Sequence, residues 1–208
     1  MVLRSLTLGL ALVLATACAA PSEPLPSAGA GSGSVALPQG WQSIELPGAT
    51  TASPNPYDVG TTLVAGSIFS PDQSLLTTPT VKLTGDAPWG ILKVDALTPD
   101  LFATVSIASL RNQLFDVDKD RSAHPSTSKV IQQAPLEQTG MYGERLIYST
   151  VLTQKGAVPT SVTLDQTVYL APSASRVYLL FVACTSDCYQ AYQSTIDQVV
   201  SSWDPTTV

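Results

Sequence analysis

Three cysteines, one histidine and a run of alternating aspartates are the residues of this 208-residue chain whose types and spacing could do chemistry. Cys184 and Cys188 bracket Thr185-Ser186-Asp187. One turn of chain brings Cα atoms at that separation to about 6 Å, inside the disulfide range. In an oxidising compartment the expectation is a structural bond that fixes the turn, with a small entropic contribution from so short a loop. A redox-active pair is the rival reading, but such pairs usually have two intervening residues at a helix start, and here there are three. Asp116, Asp118 and Asp120 alternate like the opening of a calcium loop. The Gly and the bidentate Glu that an EF-hand places sixth and twelfth are Arg121 and Thr127 instead. With Lys119 and Arg121 neutralising the carboxylates, the expectation is a solvated helix exit with local ion pairs and no metal. His124, the single histidine, lies in the polar stretch 122–128. As a general base it needs a carboxylate behind it and a Ser in front. The chain has no Gly-x-Ser-x-Gly elbow, so an exposed loop His is expected and no catalytic residue is assigned. Asp86-Ala87-Pro88-Trp89-Gly90 puts an aromatic in a turn. Exposed, it could anchor a protein or a sugar; the expectation is that it folds over a sheet end.

Cys18 belongs to a different chemistry, set by what precedes it. Arg4 is the only charge before Glu23, and residues 6–14 are almost wholly apolar. This is the pattern of a secretory signal peptide. Nine helical residues span about 14 Å, far short of the ~30 Å hydrocarbon core of a bilayer. Cys18 directly after Ala15-Thr16-Ala17 resembles a bacterial lipobox, in which the thiol is alkylated by diacylglycerol and becomes the mature N-terminus. Ala15 stands where Leu, Val or Ile is usual, and Ala15-Thr16-Ala17 also suits ordinary signal peptidase, so plain secretion is the alternative. An unpaired exposed thiol is a liability in an oxidising compartment, which favours acylation. Two or three acyl chains at about 0.8 kcal/mol per buried methylene would hold the chain to a membrane. From Ala19 to about Leu37 the chain is Ala, Pro, Ser and Gly-rich without an aromatic, as a flexible spacer is. The expected organisation is a signal peptide at 1–17, lipidated Cys18 with a flexible linker at 18–37, and one domain at 38–208.

Composition bounds the rest. Lys and Arg number 10 against 16 Asp and Glu, a formal charge of −6, and charged residues make up 12%. Too few cations are present to neutralise a run of phosphates, which argues against nucleic acid. One His without a Cys/His cluster argues against a zinc finger or a multi-His site. A 44% hydrophobic share is too high for a wholly disordered chain.

The elements that must position these residues are mostly strands. Candidates are Trp41–Leu46, Thr61–Ala65, Thr80–Thr84, Gly90–Asp95 and Lys129–Gln133. Clearer ones are Glu144–Thr153, the alternating Ser161–Leu170, and Arg176–Ala183, apolar enough for a central strand covered on both faces. Short links between the last three predict antiparallel hairpins. Thr98-Pro99-Asp100 is a helix start, with Ala103, Ile107, Leu110 and Leu114 on one face. A second helix opens at Thr185-Ser186-Asp187 and runs to about Trp203, with Tyr192, Ile196, Val199 and Trp203 as its buried stripe, and Pro205 beyond it. The order implies an α+β domain, a central antiparallel β-sheet with helices packed on its faces.

Several of these residues carry a resemblance. Tyr142-Gly143-Glu144-Arg145, Val168-Tyr169, the strand from Arg176 to Cys184, Cys188-Tyr189 and a helix ending Val199-Val200-Ser201-Ser202-Trp203 resemble envelope lipoproteins of the PsbP-like superfamily. Among these the chain is most similar to the actinobacterial LpqN/LpqT type. Gly40-Trp41 suits the same pattern; residues 116–138 depart from it. The resemblance implies an α/β/α sandwich and a domain that binds partners without catalysing a reaction. The expectation is therefore a secreted bacterial lipoprotein, held to the membrane by Cys18. Its domain would be non-catalytic and without cofactor, binding an envelope protein, a lipid or a polymer. The alternatives are an envelope hydrolase built on Ser, Asp and His124, and a purely structural lipoprotein.

Overall fold

Alternating apolar residues pair into strands wherever a neighbouring segment can take up their backbone hydrogen bonds, and that rule builds most of this molecule. The computed structural model describes residues 27–28, 34–46, 62–77, 81–153, 158–173 and 175–206. In chain order the strands and helices are β1 (Ser27–Ala28), β2 (Val35–Ala36), β3 (Gln42–Leu46), β4 (Thr62–Ser70), β5 (Trp89–Ala96), α1 (Pro99–Phe102), α2 (Ile107–Arg111), α3 (Val117–Ala123), β6 (Lys129–Gln138), β7 (Met141–Leu152), β8 (Thr160–Leu170), β9 (Arg176–Thr185) and α4 (Ser186–Ser202). Seven strands form one antiparallel sheet in the order β3-β4-β5-β9-β8-β7-β6, and β1 pairs with β2. Two meanders are thus laid side by side. The three short helices carry the chain from β5 to the far edge at β6, and the second meander returns until β9 lies against β5. The α+β architecture with a central antiparallel sheet is as expected.

β9 is central, and residues 177–184 are buried without interruption. Its even-numbered side chains, Tyr178, Leu180, Val182 and Cys184, join Ile196, Val199 and Trp203 of the α4 end of the chain in one core. Its odd-numbered ones, Leu179, Phe181 and Ala183, face a second core with Trp89, Ile91, Leu164 and Val117 beneath the short helices. The α4 stripe is as the spacing predicts: Ile196 and Val199 are fully buried, and Tyr192 meets the Trp41 ring edge-on at 6.5 Å. Burying side chains of this size contributes about 1.5–3 kcal/mol each.

Four expectations change. Residues 81–84 are not a strand; Val81 and Leu83 pack on the second core while the chain crosses the sheet end. Their β-branched composition has no neighbouring strand to pair with, and pairing rather than propensity decides. The single helix from Thr98 is broken into α1 and α2. Ser106 and Ser109 form a reciprocal capping box that restarts the helix at Ile107. The aspartate run is a helix start and not an exit, because the Asp116 carboxylate accepts from Lys119 N at 3.0 Å and caps α3. Finally, the folded unit reaches further back than residue 38. Val35 and Leu37 are fully buried in the α4 core, and Ser34 and Asp204 exchange two backbone hydrogen bonds of 3.0 and 2.9 Å. A Ser/Gly-rich composition hid the two apolar side chains that dock here.

Candidate functional site

The second meander and α4 bring a set of charged groups together under the sheet's α4 face. In β8, Asp165 lies at an inward position and is 1% exposed. From β7, Arg145 meets it with two donors, Nε–Oδ1 at 3.1 Å and Nη2–Oδ2 at 2.6 Å. From the first turns of α4, Tyr189 donates its hydroxyl to Asp165 Oδ2 at 2.9 Å. About two helical turns further along, Asp197 accepts from Arg145 Nη2 at 2.5 Å and keeps its side chain 45% exposed. Burial holds the Asp165 carboxyl above its ordinary range, with Arg145 opposing it. Burial also works against the Arg145 charge, but the Asp165 and Asp197 carboxylates outweigh it and its pKa lies above the usual value. Burial, then the charge of Asp165, pushes the Tyr189 phenol well up. The charges are locked into one network and the guanidinium cannot give up its proton.

Arg145 and Asp197 of this network line a shallow, open groove. α4 covers β8 and β9, leaving the α4 face of β7 and β6 partly open. The resulting groove, about 700 Å³, is lined by Arg145, Gln190, Gln193, Ser194, Asp197, Gln198 and Ser201. The glutamines are exposed, and each carboxamide offers two donors and an acceptor. A row of such groups above a charged floor suits recognition by hydrogen bonding.

The sequence-predicted residues lie elsewhere. Cys184, next to last in β9, and Cys188, in the first turn of α4, have Cα atoms 5.9 Å apart and sulfurs at disulfide distance. Thr185 between them caps α4, its Oγ1 accepting from Cys188 N at 3.4 Å. Cys18 lies outside the described residues. The aspartates diverge: Asp118 turns to Asn112 and Arg111, at 2.8 and 3.4 Å, whereas Asp120 accepts from the Tyr148 hydroxyl at 2.8 Å. Asp120 also holds His124 Nδ1 at 3.0 Å, leaving the imidazole 55% exposed. A carboxylate behind the histidine is therefore present. Ser122 and Ser128 line the adjacent hollow with Asp118 and Arg121. Trp89 is not a turn residue. It opens β5, is fully buried and packs edge-on against Phe181 at 6.3 Å, so neither a protein nor a sugar reaches it.

Sequence reasoning missed Arg145, Asp165, Tyr189 and Asp197. The alternation of β8 hid Asp165: it shares its side of the strand with Ser161, Thr163 and Thr167, so that side reads as polar although α4 covers it. A second buried pair, Lys93–Asp95 at 2.8 Å in β5, was the more legible one: opposite charges two residues apart on the strand face of Trp89 and Ile91.

No family model matches the chain, and no curated protein is a significant match to it in sequence. Among solved structures it is similar to the cyanobacterial PsbP (CyanoP) of Synechocystis, with 13% identity over 84% of this chain and 86% of that one, at a TM-score of 0.46. It is similar to LpqN, involved in cell envelope biogenesis of Mycobacterium tuberculosis, with 15% identity over 79% of this chain and 78% of that one, at 0.42. It is also similar to the Ran-binding protein Mog1p of Saccharomyces cerevisiae, with 8% identity over 84% of this chain and 90% of that one, at 0.43.

Proposed function

We propose that the chain is an extracytoplasmic bacterial lipoprotein of PsbP-like type, anchored through Cys18, whose domain holds a partner and does not transform it. The α4–β7 groove carries this reading. Its ionisable groups are tied to one another, and what it turns to solvent is a row of carboxamides and hydroxyls. The segments resembling the PsbP-like superfamily are the ones that frame it, β7, β8, β9 and α4. Residues 184 and 188 form a structural disulfide that fixes where α4 leaves the sheet, and so fixes the groove wall.

Two measurements test the proposal. Mass spectrometry of the mature protein is expected to find a diacylglyceryl thioether on residue 18; an unacylated start removes the anchor. Addition of envelope extract is expected to raise the melting temperature of the wild-type chain, and to lose that effect in Gln193→Ala/Gln198→Ala. Absence of any shift sinks the binding reading.

A second reading, a hydrolase, has one observation in its favour: Asp120 behind His124 reproduces two members of a nucleophile-activating set. It requires an ester or amide substrate whose turnover disappears in His124→Ala. Turnover that survives the substitution rejects it.

A further inference from the structure

The proposed binding role leaves open what fills the groove, and the chemistry of its walls narrows that. We infer that it takes a neutral, hydroxyl-rich chain: an uncharged glycan of several sugar units. This rests on the binding reading above.

Charge comes first. Arg145, the one cation of the groove, is already shared between Asp165 and Asp197, so an incoming phosphate or carboxylate would have to displace a bound carboxylate. Asp197 is half exposed and would repel it. Polarity comes next. The lining contains no large apolar side chain, so a lipid tail or an apolar peptide face gains nothing there. What the walls do offer are planar groups, Gln190, Gln193, Gln198 and the free edge of Asp197. Each can accept from one hydroxyl of a vicinal pair, and the amides can donate to the other. Their spacing of three and four residues sets them in a row along α4. From Gln190 to Ser201 that row runs about 16 Å, the reach of an extended oligosaccharide and not of one sugar. The floor is pre-organised, since Arg145 is held by Asp165 and Asp197 before anything binds. The exposed glutamines must still be ordered on binding, which makes each site weak and leaves avidity to many copies on one membrane.

The test uses the full mature chain and side-chain amide NMR. Maltohexaose and mannohexaose are the neutral ligands, with hexagalacturonate as the anionic counterpart. At least one neutral hexasaccharide is expected to shift the amide signals of Gln190, Gln193 and Gln198 in a saturable way. Gln193→Ala/Gln198→Ala, both exposed positions, is expected to weaken binding by about tenfold or more while leaving the backbone spectrum of the sheet unchanged. Preference for hexagalacturonate overturns the inference. So does the failure of both neutral ligands while envelope extract still perturbs the same signals; in that case the groove binds but its occupant is not a neutral glycan. If neither sugars nor extract move those signals, this inference and the binding reading fall together.

Discussion

Asp165 shows what a single buried charge commits a protein to. Its carboxylate is met by Arg145 and by the Tyr189 hydroxyl, so removing it strands the buried phenol and leaves the half-buried guanidinium with Asp197 alone. Asp165→Ala is expected to lower stability by about 3–5 kcal/mol in urea unfolding, well beyond the loss of one exposed hydrogen bond. Asp165→Asn, which keeps an acceptor for Tyr189, is expected to cost less. Thr139 carries a different liability. It and Gly140 form the two-residue link of the β6–β7 hairpin, with φ of 51° and 77°. Positive φ at both positions is what a tight hairpin needs, and Asn-Gly supplies it most readily. A β-branched residue pays sterically there, so Thr139→Asn is expected to stabilise the chain by up to about 1 kcal/mol, read as a higher urea midpoint. The same residue explains why the hairpin was not legible: Thr carries no turn signal, and the strand candidates stopped short at Gln133 on one side and began late at Glu144 on the other. The Lys93–Asp95 pair was legible in principle, because alternation sets it on the strand face of Trp89 and Ile91, whereas Asp165 shares its face mainly with Ser and Thr and reads as solvated.

At the scale of elements, legibility followed sequence-local physics. α4 was readable from end to end, because one segment contains its cap, its stripe and its stop. The helices after β5 were not, since Ala103, Ile107, Leu110 and Leu114 fit one helical face whether or not the chain breaks between them. The break depends on Ser109 reaching back to the Ser106 backbone, a bond of 2.8 Å that periodicity does not see. The groove was hidden for a related reason: it exists because α4 packs over β8 and β9 and leaves β7 and β6 uncovered, which is a fact of sheet order. The turn from β9 into α4 is where the proposed Cys184–Cys188 bond acts. Chain-entropy reasoning gives so short a loop about 2 kcal/mol. Reduction, or Cys184→Ser, is therefore expected to lower the thermal midpoint without unfolding the sheet, and thiol titration of the unreduced, unfolded protein is expected to find neither sulfur free. Loss of the groove's ligand on reduction would show that the bond also sets the α4 position.

Taken whole, the molecule is a sheet with an apolar core on each face and charged groups sealed inside both. Its phenols give it an alkaline limit. Burial raises the Tyr148, Tyr169 and Tyr189 hydroxyls above their ordinary value of 10.0. Each keeps its proton in the folded state at a pH where the unfolded chain releases it. Above about pH 10 the folded state therefore binds more protons than the unfolded one, and stability falls as pH rises from there. Tyrosinate absorbance is expected to show part of the chain's seven tyrosines resisting ionisation until the protein unfolds. A smooth titration of all of them with no unfolding step would contradict this.

The pairing of Ser34 with Asp204 has a mechanical meaning. Residues that precede the sheet and residues that end α4 meet at one point, joined by two hydrogen bonds and backed by buried Val35, Leu37 and Trp203. A tug transmitted through the upstream residues first parts the two-residue β1–β2 pairing and then loads this point, at the foot of the helix. Two bonds in series with a small apolar plug open one after another, so the N-terminal segment is set to peel off at low load while the seven-stranded sheet stays whole. In a force-extension trace this release precedes rupture of the sheet, and Val35→Ala brings it to still lower load.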